Sequence, residues 1–243
     1  MSEAWRQIGK ARAGGILLIA DHASAFVPAD IDLGIDPALL TNHIAIDIGV
    51  AEVAALLVEN GAVDAAILGG VSRLVVDCNR DEDAPGVLPI ASDGHAVPGN
   101  ALDDDAREAR LARFFRPYHA HIAETITAHR PAMILSLHSF TPSLAAHPEQ
   151  ARPWHVGVLY NEDDRLAAAA IAALEAEDVI VGDQQPYSGK LLNATMNRHA
   201  EANGIPYVGL EMRQDLVGNA AGQALFAERL SRMCSKVALN LAG

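Results

Sequence analysis

Short apolar runs alternate with longer stretches of helical periodicity along the chain. Runs such as ILLIA and MILSL are typical of strands buried on both faces, while the longer stretches repeat apolar residues three and four apart. The pattern predicts strands at residues 16–20, 65–68, 72–77, 133–137, 155–160, 179–181 and 206–211. It predicts helices at residues 37–60, 103–130, 163–176, 195–203 and 219–241, the second of them kinked at Pro117.

This regular alternation predicts an α/β fold. The expected architecture is a mostly parallel or mixed sheet with helices on both faces. Residues 81–102 form a long polar loop, and loops of this length inside compact domains are often functional. No repeat, low-complexity tract or linker divides the sequence, so we expect a single domain over residues 1–243.

Composition and charge narrow the classes of function. The formal net charge of −13 argues against a nucleic-acid partner, because phosphate contacts need clustered Lys and Arg. No apolar run reaches the roughly 20 residues that cross a bilayer, and the N-terminus lacks the apolar core of a signal peptide. We therefore expect a cytoplasmic protein with neither a membrane nor a nucleic-acid partner, and the sequence carries no signal for its oligomeric state. Since Cys78 and Cys234 cannot form a CxxC site, any metal must be bound by histidine and carboxylate.

Two histidines, His22 and His138, end apolar strands. Ligands of open α/β sheets bind beyond the carboxyl ends of the strands, where both imidazoles are predicted to lie. Asp47 lies among isoleucines and valine in HIAIDIGV, where a carboxylate is costly to bury unless it is paired or bound to metal. Two imidazoles, a carboxylate and an open position form the ligand set of a hydrolytic zinc site. The alternative is a hydrogen bond that Asp47 accepts from His43, one predicted helical turn earlier.

Four polar residues, Arg73, Asp77, Asn79 and Arg80, cluster around the predicted strand at residues 72–77. Alternation along that strand would place Arg73 and Asp77 on one face. An arginine beside a metal can stabilise an oxyanion, and Asn79 with Arg80 offers a fork for a substrate carboxylate. The alternative is an Arg73–Asp77 salt bridge that only covers the end of the sheet.

The end of the last predicted strand carries Glu211 and Arg213, on one face by alternation. A carboxylate next to a metal-bound water is well placed to be its general base, whereas the alternative is a surface ion pair with Arg213. Tyr187 lies in QQPYSGKL, where proline and glycine predict a shaped turn. That turn either closes over substrate or is an ordinary exposed turn.

Six short motifs, in this order, resemble those of the N-formylglutamate amidohydrolase family. They are DHAS at residues 21–24, HIAIDIG at 43–49, SRLVVDCNR at 72–80, LSLHSF at 135–140, PYSG at 186–189 and LEMRQDL at 210–216. The family is similar in fold to zinc carboxypeptidases and to deacylases of N-acylated amino acids. DHAS differs from the Pro-His-Ser-Gly form of its typical members.

The resemblance implies a set of roles for the residues already named. One Zn²⁺ per chain would be held by His22, Asp47 and His138, with Glu211 as the base. Arg73 would lie at the scissile carbonyl, and the substrate would be bound by Asn79, Arg80, Tyr187 and Arg213.

The implied reaction is hydrolysis of an acidic N-acyl amino acid, with N-formyl-L-glutamate giving formate and L-glutamate, as in histidine degradation. Three alternatives remain at this point. A related metallo-deacylase or carboxypeptidase-like amidase would act on another substrate. A thiol amidase would use Cys78 as its nucleophile, although a lone cysteine beside a strand is more often a small buried apolar residue. A non-catalytic protein would bind acidic amino acids through its arginines.

Overall fold

A computed structural model of the chain describes residues 3–241, so residues 1, 2, 242 and 243 of the predicted domain lie outside it. Its strands are β1 (Trp5–Gly9), β2 (Ile16–Ala20), β3 (Ala65–Gly69), β4 (Ala91–Ser92), β5 (His95–Ala96), β6 (Met133–Phe140), β7 (Val156–Leu159), β8 (Val181–Asp183) and β9 (Tyr207–Arg213). Its α-helices are α1 (Val50–Glu59), α2 (Asp104–Arg110), α3 (Arg116–His129), α4 (Ala167–Glu175), α5 (Ala194–His199), α6 (Gln214–Val217) and α7 (Ala220–Leu241).

Seven of the described strands form one mixed sheet in the order β1-β3-β2-β6-β9-β7-β8. The central strands β3, β2, β6 and β9 are parallel. β1 pairs antiparallel with β3, and β7 pairs antiparallel with β9 but parallel with β8. β6 and β9 lie side by side at the centre, so their carboxyl ends reach the same edge of the sheet. The small hairpin β4–β5 lies outside this sheet. The predicted α/β class with a mixed sheet is confirmed.

Side chains along the central strands point alternately into two apolar layers, as the pleat requires. Leu18 and Ala20 of β2 pack into a layer with residues of α1, α4 and α7. Leu17 and Ile19 pack into the opposite layer with aromatic and aliphatic residues of the α2–α3 segment. Helices therefore cover both faces of the sheet, and no helix among residues 3–241 is long and apolar enough to cross a membrane.

Two predicted elements are wrong, and both concern the candidate site. Residues 72–77 form turns instead of a strand. Their apolar side chains give the same sequence pattern as a strand because this turn is buried. The helix predicted at residues 37–60 is a short 3-10 helix (Pro37–Thr41), then turns, and only then α1. Gly49 precedes α1 with φ of 81°, a left-handed conformation, and a Cβ there would lie 2.3 Å from the carbonyl oxygen of Val217.

The remaining predicted elements are present with shifted ends. The segment from α2 through α3 is helical throughout, and the residues just before Pro117 form a π turn (Leu111–Phe115). Asp103 caps it by accepting the backbone N–H of Ala106 at 2.8 Å. Strand β1 was not predicted, because WRQIG has no continuous apolar run and lies at the edge of the sheet.

Candidate metal centre

His22, Asp47 and His138 come together in three dimensions although they are far apart in sequence. Each offers one ligand atom, and these atoms all lie within 4.8 Å of one another. His22 follows the end of β2, His138 lies in β6, and the backbone N–H of Asp47 donates to the carbonyl oxygen of His22 at 3.0 Å. All three side chains are buried.

The orientations of the two imidazoles suit a metal site. Asp47 Oδ2 lies 2.9 Å from His138 Nδ1 and 3.4 Å from His22 Nδ1, so the three atoms surround one point. His22 Nδ1 is buried and has no hydrogen-bond partner among residues 3–241. Two imidazole nitrogens and a carboxylate oxygen are ligands that zinc accepts, so the residues present fit a divalent metal.

The far nitrogen of each imidazole meets a further carboxylate. His22 Nε2 lies 2.7 Å from Asp77 Oδ1, and His138 Nε2 lies 3.2 Å from Asp21 Oδ2. Carboxylates in this position orient metal-binding histidines and raise their basicity. Asp77 belongs to the polar cluster that the sequence indicates around residues 72–80. Asp21 was not predicted as a site residue, although it immediately precedes His22.

The carboxylates around the imidazoles attract positive charge to this centre. Burial opposes the charged form of His138, but hydrogen bonds to Asp21 and Asp47 hold its pKa well above the usual value. Burial also disfavours ionised Asp47, but the charges of His22 and Arg73 and a hydrogen bond from His138 keep its pKa far below normal. Protonated imidazoles supply one form of that positive charge, and a divalent cation would supply another.

Glu211 faces the same centre from the neighbouring strand. It pairs in register with His138 across the β6–β9 ladder, and its Oε2 atom is buried with no hydrogen-bond partner in the described part of the chain. Burial raises the pKa of Glu211 to about 7. The alternative of an ion pair with Arg213 is wrong, because the Arg213 guanidinium binds Asp215 at 2.8 Å and the carbonyl oxygen of Pro153 at 3.1 Å. Arg213 also does not line the cavity described next.

A cavity of about 420 Å³ opens onto these residues. Its wall contains the three candidate ligands and the two predicted catalytic residues, Glu211 and Arg73. It also contains three of the four residues predicted to bind substrate, namely Asn79, Arg80 and Tyr187. A cavity of this size is within the usual range for small-molecule sites.

Arg73 joins the candidate ligands to the carboxylate behind them. Its Nη2 donates to Asp77 at 2.9 Å and its Nη1 donates to Asp47 at 3.3 Å. The predicted Arg73–Asp77 salt bridge is therefore present, but it arises from an i,i+4 contact in a turn instead of from strand alternation. Asn79 is fixed in the same turn, since its Oδ1 accepts the backbone N–H of Thr195 at 3.1 Å.

The predicted pairing of His43 with Asp47 is wrong. His43 Nε2 lies 2.9 Å from Asp93, at the tip of the β4–β5 hairpin, and Asp93 also accepts the backbone N–H groups of Ala145 and Ala146 at 2.9 Å. The helical turn that was expected to bring His43 next to Asp47 does not exist. The contact between His43 and Asp93 instead holds two loops over the cavity. The sequence gives no signal of this contact, because the two residues are far apart in the chain.

Tyr187 lies against the cavity because the strand beside its loop contains a glycine. Gly157 of β7 faces Glu211 in register, and a Cβ on it would lie 2.1 Å from the carbonyl oxygen of Gln185. Any larger residue would push the Tyr187 loop away from Glu211. The Tyr187 hydroxyl accepts a hydrogen bond from Arg152 at 3.0 Å. Arg152 was not predicted, because an arginine in a polar loop is indistinguishable from a solvent-exposed one.

The position of Cys78 disfavours a thiol mechanism. Its side chain is only 3% exposed and does not line the cavity. Burial and the nearby charges of Asp21 and Asp77 raise the pKa of the thiol well above its usual value. A nucleophilic cysteine needs the opposite, an accessible thiol with a lowered pKa.

Fold and site together define an α/β protein with a candidate metal centre of the hydrolytic type at the edge of its sheet. A family model described as N-formylglutamate amidohydrolase matches residues 14–217. The chain therefore belongs to the N-formylglutamate amidohydrolase family, which confirms the resemblance of the six motifs.

Two solved structures share the fold of this chain over nearly its whole length. The crystal structure of gene product Atu2144 from Agrobacterium tumefaciens is 32% identical, with a TM-score of 0.91 over 99% of this chain and 96% of that chain. N-formylglutamate amidohydrolase from Ralstonia eutropha JMP134 shares the fold at 18% identity, with a TM-score of 0.73 over 99% of this chain and 98% of that chain. No curated protein matches the sequence. Membership of this family supports an amidohydrolase activity for the chain.

Proposed function

We propose that the chain is a zinc-dependent amidohydrolase that cleaves the amide bond of a short, acidic N-acyl amino acid. The leading substrate is N-formyl-L-glutamate, which would give formate and L-glutamate. One observation carries the proposal: Glu211, a half-buried glutamate whose Oε2 atom is buried without a hydrogen-bond partner among residues 3–241, faces a His–Asp–His cluster in one cavity. The family and its relative from Ralstonia eutropha support the choice of substrate.

The residues that would hold the metal are His22, Asp47 and His138. A divalent cation held there would supply Lewis acidity, which polarises a carbonyl oxygen and lowers the pKa of water. Asp77 and Asp21 would orient the two imidazoles from behind.

Glu211 is the proposed proton carrier. Its carboxylate accepts a proton from the water molecule as the water oxygen bonds to the acyl carbon. It then returns that proton to the amide nitrogen as the C–N bond breaks, which releases a carboxylic acid and an amine. The remaining proton of the acid passes to the amine, so the products are a carboxylate and a free amino acid. Its buried Oε2 atom and its register beside His138 suit both steps.

Three side chains would position the substrate. The Arg73 guanidinium, which spans Asp47 and Asp77, lies at the cavity wall and would stabilise charge on the carbonyl oxygen. Asn79 and Arg80 would bind a substrate carboxylate. These two arginines place positive charge in the cavity wall beside the carboxylates of Asp47, Asp93 and Glu211.

The test is a screen of N-acyl amino acids with purified protein, before and after chelation, together with elemental analysis. We expect one zinc per chain, release of formate from N-formyl-L-glutamate, and loss of turnover on chelation that added zinc reverses. Glu211→Gln should lower kcat roughly 10²- to 10⁴-fold while one zinc per chain remains. Glu228→Gln, the same change on an exposed glutamate of α7, is the matched control. Full turnover by Glu211→Gln would exclude Glu211 as the base, and turnover indifferent to chelators would exclude the metal.

A further inference from the structure

Arg152 is a buried cation without a carboxylate partner. Its side chain lies in the loop between β6 and β7 and is 8% exposed. Within residues 3–241, no aspartate or glutamate oxygen lies within 4.0 Å of its guanidinium. The chain has 31 acidic residues and 18 basic ones, so a shortage of acids is not the reason. Because an unpaired buried charge is costly, this arrangement needs an explanation.

The contacts of Arg152 all serve one aromatic ring and the loop beside it. Its Nη1 donates to the Tyr187 hydroxyl at 3.0 Å and to the carbonyl oxygen of Thr141 at 3.3 Å. Its guanidinium carbon lies 5.0 Å from the centroid of the Tyr187 ring. Arg152 therefore fixes both the plane of the ring and the direction of its hydroxyl.

A hydroxyl that accepts from a guanidinium keeps its own proton free to donate. In the part of the chain that the structure describes, no acceptor takes that proton, and Tyr187 lines the cavity that contains Glu211. We propose that Arg152 is a positioning residue, which holds Tyr187 so that its hydroxyl donates a hydrogen bond to a carboxylate oxygen of the substrate.

Two features favour an anionic acceptor. Burial and the charge of Glu211 raise the pKa of Tyr187, so the hydroxyl stays protonated and donates at neutral pH. The positive charges of Arg152 and Arg73 both act on this hydroxyl, and they stabilise an anion more than a neutral oxygen. An entering carboxylate would also supply the negative charge that Arg152 lacks. This inference rests on the proposed function for the identity of the substrate.

A double-mutant cycle separates positioning from an independent role of Arg152. Tyr187→Phe should raise KM for N-formyl-L-glutamate about 10-fold with little change in kcat, since a hydrogen bond to a charged group is lost. Arg152→Met should raise KM by a similar factor in the wild-type background and hardly at all in the Tyr187→Phe background. Arg152→Lys, which keeps a donor, should restore part of the loss. Arg6→Met, on the exposed side of β1, is the matched control.

A second measurement does not depend on turnover. The NMR signal of the labelled Tyr187 ring carbon that bears the hydroxyl, assigned by its absence in Tyr187→Phe, should shift in Arg152→Met and less in Arg152→Lys. An unshifted signal, or KM effects that multiply in the double variant, would overturn the proposal. If wild-type protein hydrolyses no N-acyl amino acid, the proposed function fails by itself. In that case the dissociation constant of L-glutamate, measured by calorimetry, replaces KM in the same double-mutant cycle. If the wild-type protein does not bind L-glutamate, the positioning role of Arg152 is overturned as well.

Discussion

Acidification is expected to destabilise the fold through a pair of buried histidines, His119 and His199. His119 Nε2 lies 3.0 Å from the carbonyl oxygen of Cys78, to which it must donate. In neutral His119 the other nitrogen, Nδ1, then accepts from His199 Nε2 at 2.9 Å. A proton added to Nδ1 would oppose the Nε2 proton of His199 in a buried site unless His199 changed to its other tautomer. The pair therefore favours neutral His119.

The size of the effect follows from the pKa values of the pair. Burial lowers the pKa of His119 to about 3 and that of His199 to about 4, both below the ordinary value of 6.5. The unfolded chain therefore binds more protons below pH 6.5, so stability is complete above that pH and falls as the pH drops towards the folded values. At pH 5 each histidine costs about 2 kcal/mol, from about 1.5 pH units at about 1.4 kcal/mol each, and the pair costs about 4 kcal/mol. The free-energy cost at pH 5 depends on the pKa of the two histidines in the unfolded chain, because both of their pKa values in the folded protein lie below 5.

Urea unfolding at pH 7.5 and pH 5 measures this loss, with chelated protein so that metal release does not contribute. His199→Gln keeps an amide donor for His119 but cannot titrate, so its loss should be about 2 kcal/mol smaller than that of wild type. The double variant His119→Gln/His199→Gln should lose about 4 kcal/mol less free energy of unfolding than wild type between the two pH values. The buried carboxylates contribute equally to all three proteins and cancel in this comparison. Equal losses in the three proteins would refute the argument.

Two further predictions concern the residues around the metal centre. Asp21→Asn should weaken zinc binding roughly 10- to 100-fold in a chelator competition, because Asp21 faces His138 Nε2; unchanged affinity would mean that Asp21 does not orient His138. Cys78→Ala should retain turnover, and the wild-type enzyme should resist alkylating reagents, because the thiol is buried away from the cavity. Loss of turnover in Cys78→Ala with full zinc content would restore the thiol mechanism.

The sequence predicts the strand-end histidines well because local pattern and a general rule act together there. Period and composition locate β2 and β6, and the carboxyl ends of parallel strands meet at one edge of a sheet. His22 and His138 follow from these two facts without knowledge of any long-range contact. Glu211 follows in the same way from β9, which lies beside β6.

The loops of the site could not be predicted from the same pattern, because an apolar segment is not always a strand. Leu74, Val75 and Val76 are nearly completely buried, yet they belong to a turn. Burial of a turn and burial of a strand give the same apolar run in the sequence. The false helix before Gly49 has a similar cause, since apolar residues pack there in a short 3-10 helix and turns instead of a continuous α-helix.

The outer layer of the metal centre shows why its ligand geometry depends on the whole fold. Asp21 Oδ1 accepts from the Tyr118 hydroxyl of α3 at 2.9 Å and from the Thr195 hydroxyl of α5 at 2.8 Å. Thr195 Oγ1 also lies 3.1 Å from the carbonyl oxygen of Cys78, in the turn that carries Asp77 and Asn79, so its one proton is shared between two acceptors. One helix layer therefore supports the partners of both imidazoles. Because Asp21 and the turn that carries Asp77 connect this layer to the two imidazoles, changes in the helices should alter metal affinity first and turnover only as a consequence.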